Sequence, residues 1–209
     1  MKQEQRRQQT FRLLLQTVEE LILEKGCDSI KMSDIMERSG LSKGAIFHYV
    51  KTKDEIFALL LQAQLEEIDN RFVEEVNQQK KKEFEGPLRE ITKKLSMLEN
   101  PQDVTNQVLM YLLGKRGQPS VAEALQAFYE QSFRLSKQWI VTGQSHGVIP
   151  ESIDADRTAE LFILITYGLR MRSAISAGAG VPAFTAADFA MFLAQTLNPE
   201  PQNERSRNQ

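Results

Sequence analysis

A chain of 209 residues with 41% hydrophobic and 26% charged residues fits one or two modest globular domains and lies outside the compositions of disordered, collagen-like and disulfide-stapled chains. No 18-residue apolar run is present, MKQEQRRQQTFR at the start carries no apolar leader, and the single cysteine, Cys27, excludes an internal disulfide, so a cytoplasmic setting is expected. A net charge of −2 does not mark a polyanion binder, so any nucleic-acid role must rest on local arrangement.

Phe11, Leu14, Leu15, Val18, Leu21 and Ile22 recur at three- and four-residue steps and predict an amphipathic helix from Arg6 to Lys25, with Gly26 placed to end it. A second helix is expected over Met32 to Ser39, burying Ile35 and Met36. Gly40 can take the positive φ of a sharp reversal, Leu41 turns inward, and Ser42 suits the N-cap of a third helix running to Val50. That helix is too short to stand alone and must be held through Ile46 and Val50. Its other face then carries Lys43, Gly44, Ala45, Phe47, His48 and Tyr49, a pattern suited to a helix that enters a DNA groove. Residues 1–60 hold ten Lys/Arg against nine Asp/Glu, so this residue pattern and not the charge carries the reading.

Thr52 caps a long fourth helix with Asp54 and Glu55 in its first turn, where the helix dipole favours acids, and the apolar pattern continues to about Gln79. QQKKKEFEGP reads as a surface connection. Beyond it helices are expected near 87–98, 102–114, 119–144, 154–178 and 184–197, and residues 198–209 read as a polar, disordered tail. His48 and His146 are the two histidines, and Gly178 and Gly180 lack the rest of a phosphate-loop fingerprint. Catalysis, a metal site and a cofactor are therefore not expected.

GLSKGAIFHYVKTKDEIF, together with the helix leading into it, resembles the helix-turn-helix of the TetR family of bacterial transcriptional regulators over roughly residues 8–60. SHGVIPESIDADRTAELFILITYGLRMR resembles the penultimate helix of many members and the loop before it. The resemblance implies an all-α fold: a three-helix DNA-binding domain over 1–53, then a helical effector-binding and dimerisation domain over 54–197. It places Lys43 near base edges, Gly44 and Ala45 where the backbone approaches the groove beside the capping Ser42, and Phe47 and His48 next along the groove. Tyr49 and Lys53 would hold phosphates, and Lys31 and Ser33 lie where a backbone contact is expected. Two of these have a competing reading, Phe47 as core and Tyr49 as packing against the first helix. Lys31-Met32 stands where the family has a threonine pair, and Phe47 where it often has tyrosine.

In the family the last two helices form the dimer interface, and Leu161, Phe162, Ile165, Gly168, Leu169, Phe189 and Phe192 are the residues here that fit that role. Met97, Met110, Tyr111, Phe128, Phe133 and Trp139 are candidates for an effector pocket, against an alternative in which they are plain core. The implied function is a homodimeric repressor released from a palindromic operator by a small molecule. The alternatives are an activator, or a helical ligand-binding protein that does not read DNA.

Overall fold

The computed structural model describes residues 2–175 and 183–198, with side chains from residue 5 onward. The stretch 176–182 and all but the first residue of the expected tail lie outside the described residues. The described chain is helical without strands: α1 (Lys2–Ser29), α2 (Met32–Ser39), α3 (Lys43–Phe47), α4 (Lys53–Gln78), α5 (Glu85–Thr92), a 3-10 turn at Leu95–Glu99, α6 (Val104–Gly114), α7 (Pro119–Ser145), α8 (Ala155–Ile175) and α9 (Ala186–Leu197). It forms two compact units, residues 1–67 with 100–131 and residues 68–99 with 132–209. This division differs from the one after residue 53 expected from the sequence, because α6 packs along α1 and joins the first unit.

In the first unit α1 breaks at Gly26, whose φ of 72° and ψ of 161° are open to glycine at little cost. Leu14, Val18, Leu21 and Ile22 form its buried stripe. Polar ties fix α2 against α1: Arg38 donates to both carboxylate oxygens of Glu24 at 2.7 and 2.8 Å, and Lys25 donates to Asp34 at 2.7 Å. The Asp34 carboxylate also accepts the Lys31 backbone N–H at 2.9 Å, satisfying one of the unpaired donors at the start of α2. These partners hold the Asp34 carboxyl below its usual range, the Lys25 hydrogen bond first among them. Gly40 then takes the left-handed conformation, φ 66° and ψ 9°, that the reversal requires. Ile35, Ile46, Val50, Ile56, Phe57, Leu60 and Leu61 close the core with Val108, Leu109 and Leu112. Full burial of a side chain such as Ile46 contributes about 1.5–3 kcal/mol, enough to hold a helix that has one turn of its own.

In the second unit Phe162, Leu169, Phe189, Leu193 and Leu197 pack with Leu98 and Ile140. Glu99 ties the pieces: its carboxylate accepts from Arg172 at 2.5 Å and from the Ala186 backbone N–H at 2.8 Å. The single helix expected over 87–98 is split for this reason. The chain leaves the α-helix after Thr92 and tightens into the 3-10 turn, which buries Leu98 and presents Glu99 to α8 and α9.

Candidate nucleic-acid interface

The third helix is built from its cap outward. Ser42 Oγ accepts the Ala45 N–H at 3.2 Å, and Ile46 anchors the helix from below. α3 covers Lys43–Phe47, shorter than the Ser42–Val50 expected; His48 and Tyr49 form a turn beyond it. Ser42, Lys43, Gly44, Phe47 and His48 are exposed, and Ala45 and Tyr49 are half-buried. The Lys43 ammonium stands 5.4 Å from the centre of the Phe47 ring, which is 43% exposed and therefore not core. A Cβ at Gly44 would meet nothing within 4 Å. The helix thus offers one cation, one aromatic face, one imidazole and a stretch of bare backbone. Lys31 and Ser33, at the start of α2, are also exposed.

Two residues expected at phosphates are spent inside the protein. Lys53 Nζ donates to the carbonyls of Cys27, Asp28 and Ile30 at 3.0, 3.2 and 2.8 Å. All three ammonium hydrogens are thereby committed to carbonyls of the last turn of α1 and of Ile30 just beyond it. The ammonium also lies 5.9 Å from the Phe57 ring centre and 5.1 Å from that of Tyr111. Tyr49 donates its one hydroxyl hydrogen to the Arg7 carbonyl at 3.0 Å, and its ring meets Phe11 at 5.7 Å. In this structure Tyr49 packs against α1, and the donors of both Tyr49 and Lys53 are engaged within the protein. The sequence carried a signal for the Tyr49 contact in the α1 stripe, since positions 7, 11, 14 and 18 share one face.

Cys27 is buried beside this lysine, and burial, with the Asp28 charge adding, pushes its thiol up to about 11. Such a thiol is unreactive near neutrality.

The residues expected at a dimer interface divide. Phe162, Leu169 and Phe189 belong to the core of their own unit, at 7%, 3% and 1% exposure. Ile165 and Phe192 pack partly against that core. Leu161 and Gly168 face outward, joined by Leu164, Met171 and Ile175.

The pocket candidates divide too. Met110, Tyr111 and Phe128 lie in the first unit; Met97, Phe133 and Trp139 lie in the second. The Tyr111 hydroxyl donates to Asp54 at 2.8 Å and accepts from Lys115, its ring edge-on to Phe57. Trp139 donates its indole N–H to Asp69 at 2.8 Å and its ring lies 5.5 Å from that of Phe72, while Met97 is exposed. Tyr111 and Trp139 thus have polar partners within their own units.

Residues 14–60, from the buried stripe of α1 through the reading helix to the first turns of α4, match the family described as bacterial regulatory proteins, tetR family. That match covers the segment that carries the reading helix. Solved structures of the same fold include GusR of Salmonella enterica, at 19% identity and a TM-score of 0.59, the match covering 90% of this chain and 95% of that one. A TetR transcription regulator of Haloarcula marismortui matches at 19% identity and 0.61, covering 91% and 97%. FadR of Bacillus subtilis, solved in complex with stearoyl-CoA, matches at 17% identity and 0.58, covering 90% and 97%. No curated protein matches the chain. Among the described residues no helix is long and apolar enough to cross a membrane, and no cluster of three or more His, Cys, Asp or Glu is placed to hold a metal ion.

Proposed function

We propose that this chain is a TetR-family homodimeric repressor that binds a palindromic operator through α3 and is released by a small-molecule effector. The observation that carries the reading is the composition of the exposed side of α3. Ile46 is fully buried while Lys43, Gly44, Phe47 and His48 stand in solvent, so the helix is held by the head and spends little of its outward surface on the head. Lys43 would donate to guanine acceptors and Phe47 would meet thymine methyl groups, with His48 as a polar reader. Lys31 and Ser33 would contact the backbone at the start of α2.

The dimer is supported by a second observation. Leu161, Leu164, Gly168, Met171 and Ile175 lie at steps of three, four, three and four along α8, and all five are exposed. Such a seam is what a second helix packs into, and Gly168 permits close approach. Two heads related by a two-fold axis would place the reading helices about 34–36 Å apart in successive major grooves. An effector would release DNA by its difference in affinity between the bound and free arrangements.

Selection of sites from a random double-stranded DNA pool, with sequencing of the bound fraction, tests this. A palindromic motif is expected. Absence of enrichment at low salt, from protein unfolded and refolded to strip any bound ligand, would rule the reading out.

A further inference from the structure

We infer that the first turns of α1 are part of the DNA-binding surface, with Arg7 pairing with backbone phosphates beside the carboxyl end of the reading helix and Arg6 adding to the same field. The inference rests on the DNA-reading role proposed above for α3.

Three observations meet here. The first is position. Positions 7, 11, 14 and 18 form one face of α1; Leu14 and Val18 are fully buried against the head and Phe11 is half-buried, but Arg7 is exposed. The stripe therefore runs past the packed part of the head, and Arg7 is the first residue beyond it. The second is attachment. Tyr49, two residues past the end of α3, donates its hydroxyl hydrogen to the Arg7 carbonyl at 3.0 Å, and its ring meets that of Phe11 at 5.7 Å, tilted by 43°. The arm is thus fixed to the side of the reading helix. The third is charge. Lys2, Arg6, Arg7 and Arg12 stand against the single acid Glu4 in this segment. Arg6, Arg7 and Arg12 are exposed, and among the described residues their side chains have no ion pair or hydrogen bond.

The chemistry follows from what Tyr49 and Lys53 cannot do. With their donors spent on carbonyls, the far end of the reading helix lacks the phosphate anchors expected of it. A guanidinium is the group best shaped to replace them, because its fork can donate to two oxygens of one phosphate. Tyr49 then serves as a positioning residue: it holds the turn of α1 that carries Arg7. A DNA backbone is the partner this surface fits, since it continues the exposed face of α3 and is complementary in charge.

The test is the salt dependence of binding, measured on the selected operator and on unrelated duplex with wild-type protein, Arg7→Ala, Arg7→Lys and Tyr49→Phe. Removing one phosphate partner lowers the slope of log K against log salt by about 0.9, so Arg7→Ala should lower it by about 1.8 for a dimer with one such pairing per head. The drop should be equal on both DNAs, Arg7→Lys should restore most of the slope, and Tyr49→Phe should give up part of it while the base preference of the selected motif stays intact. A wild-type slope for Arg7→Ala, in a protein that still selects its motif, overturns the inference and leaves the DNA-reading proposal standing. So does a loss confined to one base position with the slope unchanged. Wild-type protein that selects no motif removes both.

Discussion

At Gly44 a methyl group would meet no atom within 4 Å and the backbone is ordinary helix, so neither packing nor conformation inside the head calls for glycine there. Glycine in a helix costs about 0.5–1 kcal/mol relative to alanine, a cost that the approach of the backbone to a groove would explain. Gly44→Ala should therefore raise the melting temperature by a few degrees and weaken operator binding at least about tenfold, as expected where activity conflicts with stability. A variant that is stabilised and binds as well as wild type would show that the backbone at Gly44 does not approach DNA. Lys53 makes the opposite case. Its ammonium satisfies three carbonyls, and Lys53→Met keeps the stem while leaving them without a donor. Urea unfolding should show a loss of about 1–3 kcal/mol, with the salt slope of DNA binding unchanged. Unaltered stability with a slope lowered by about one per head would return Lys53 to the phosphates. The sequence could place both residues but could not separate their duties. Lys53 and Lys43 look alike in a string, and what distinguishes them is that the end of α1 folds back over one of them.

Element boundaries were legible where a local device sets them. α2 spans Met32–Ser39 as expected, because Gly40 ends it by its own conformation, and α4 starts at Lys53 beside Thr52, whose hydroxyl accepts the Glu55 N–H at 3.2 Å. Boundaries set by distant partners were not. α3 stops at Phe47 because the next turn carries Tyr49 to Arg7, and the helix expected over 87–98 gives way to a 3-10 turn that serves Arg172 and Ala186. The tie between α4 and α6 is of this second kind. Lys115 donates to Asp54 at 3.0 Å and to the Tyr111 hydroxyl, which itself donates to Asp54. Burial, with the Asp54 hydrogen bond adding, raises the Tyr111 hydroxyl above its ordinary 10.0. Burial draws Lys115 down, but its bonds to Tyr111 and Asp54 outweigh that and carry it above its ordinary 10.5. Both shifts favour the protonated form in the folded state, so their contribution is fully present below pH 10.0, where the unfolded chain also keeps these protons, and is lost as pH rises through the raised values. A double-mutant cycle of Asp54→Asn with Lys115→Met should give a coupling of about 0.5–1 kcal/mol for this partly exposed pair, constant between about pH 6 and pH 9 (a range ending about one unit below the ordinary values) and falling above them. Coupling that is absent at neutral pH would mean the two helices are joined by packing alone.

For the molecule as a whole, the sequence showed apolar excess on the last two helices but not its direction. Leu161, Phe162, Ile163, Leu164 and Ile165 are five apolar residues in succession, and such a run has no period from which to read a face. Folding assigns the directions: Phe162 and Ile163 go to the core of their own unit, while Leu161 and Leu164 remain 42% and 58% exposed. Met171 at 43%, Ile175 at 74% and, on α9, Met191 at 56% belong to the same outward class. An exposed seam at coiled-coil spacing costs solubility unless something covers it, and a second copy of α8 has the matching seam by symmetry. Leu164→Glu places a charge in the middle of that seam without touching the core. It should convert the protein to a monomer by analytical ultracentrifugation and leave its helical content unchanged. Operator binding should fall by two or more orders of magnitude, because the second half-site is then engaged from solution and not by a tethered partner. Binding to a single half-site should stay at its wild-type level. A Leu164→Glu protein that still sediments as a dimer would move the interface off this face of α8, and one that is monomeric yet binds the full palindrome as tightly as wild type would show that the two heads read DNA independently.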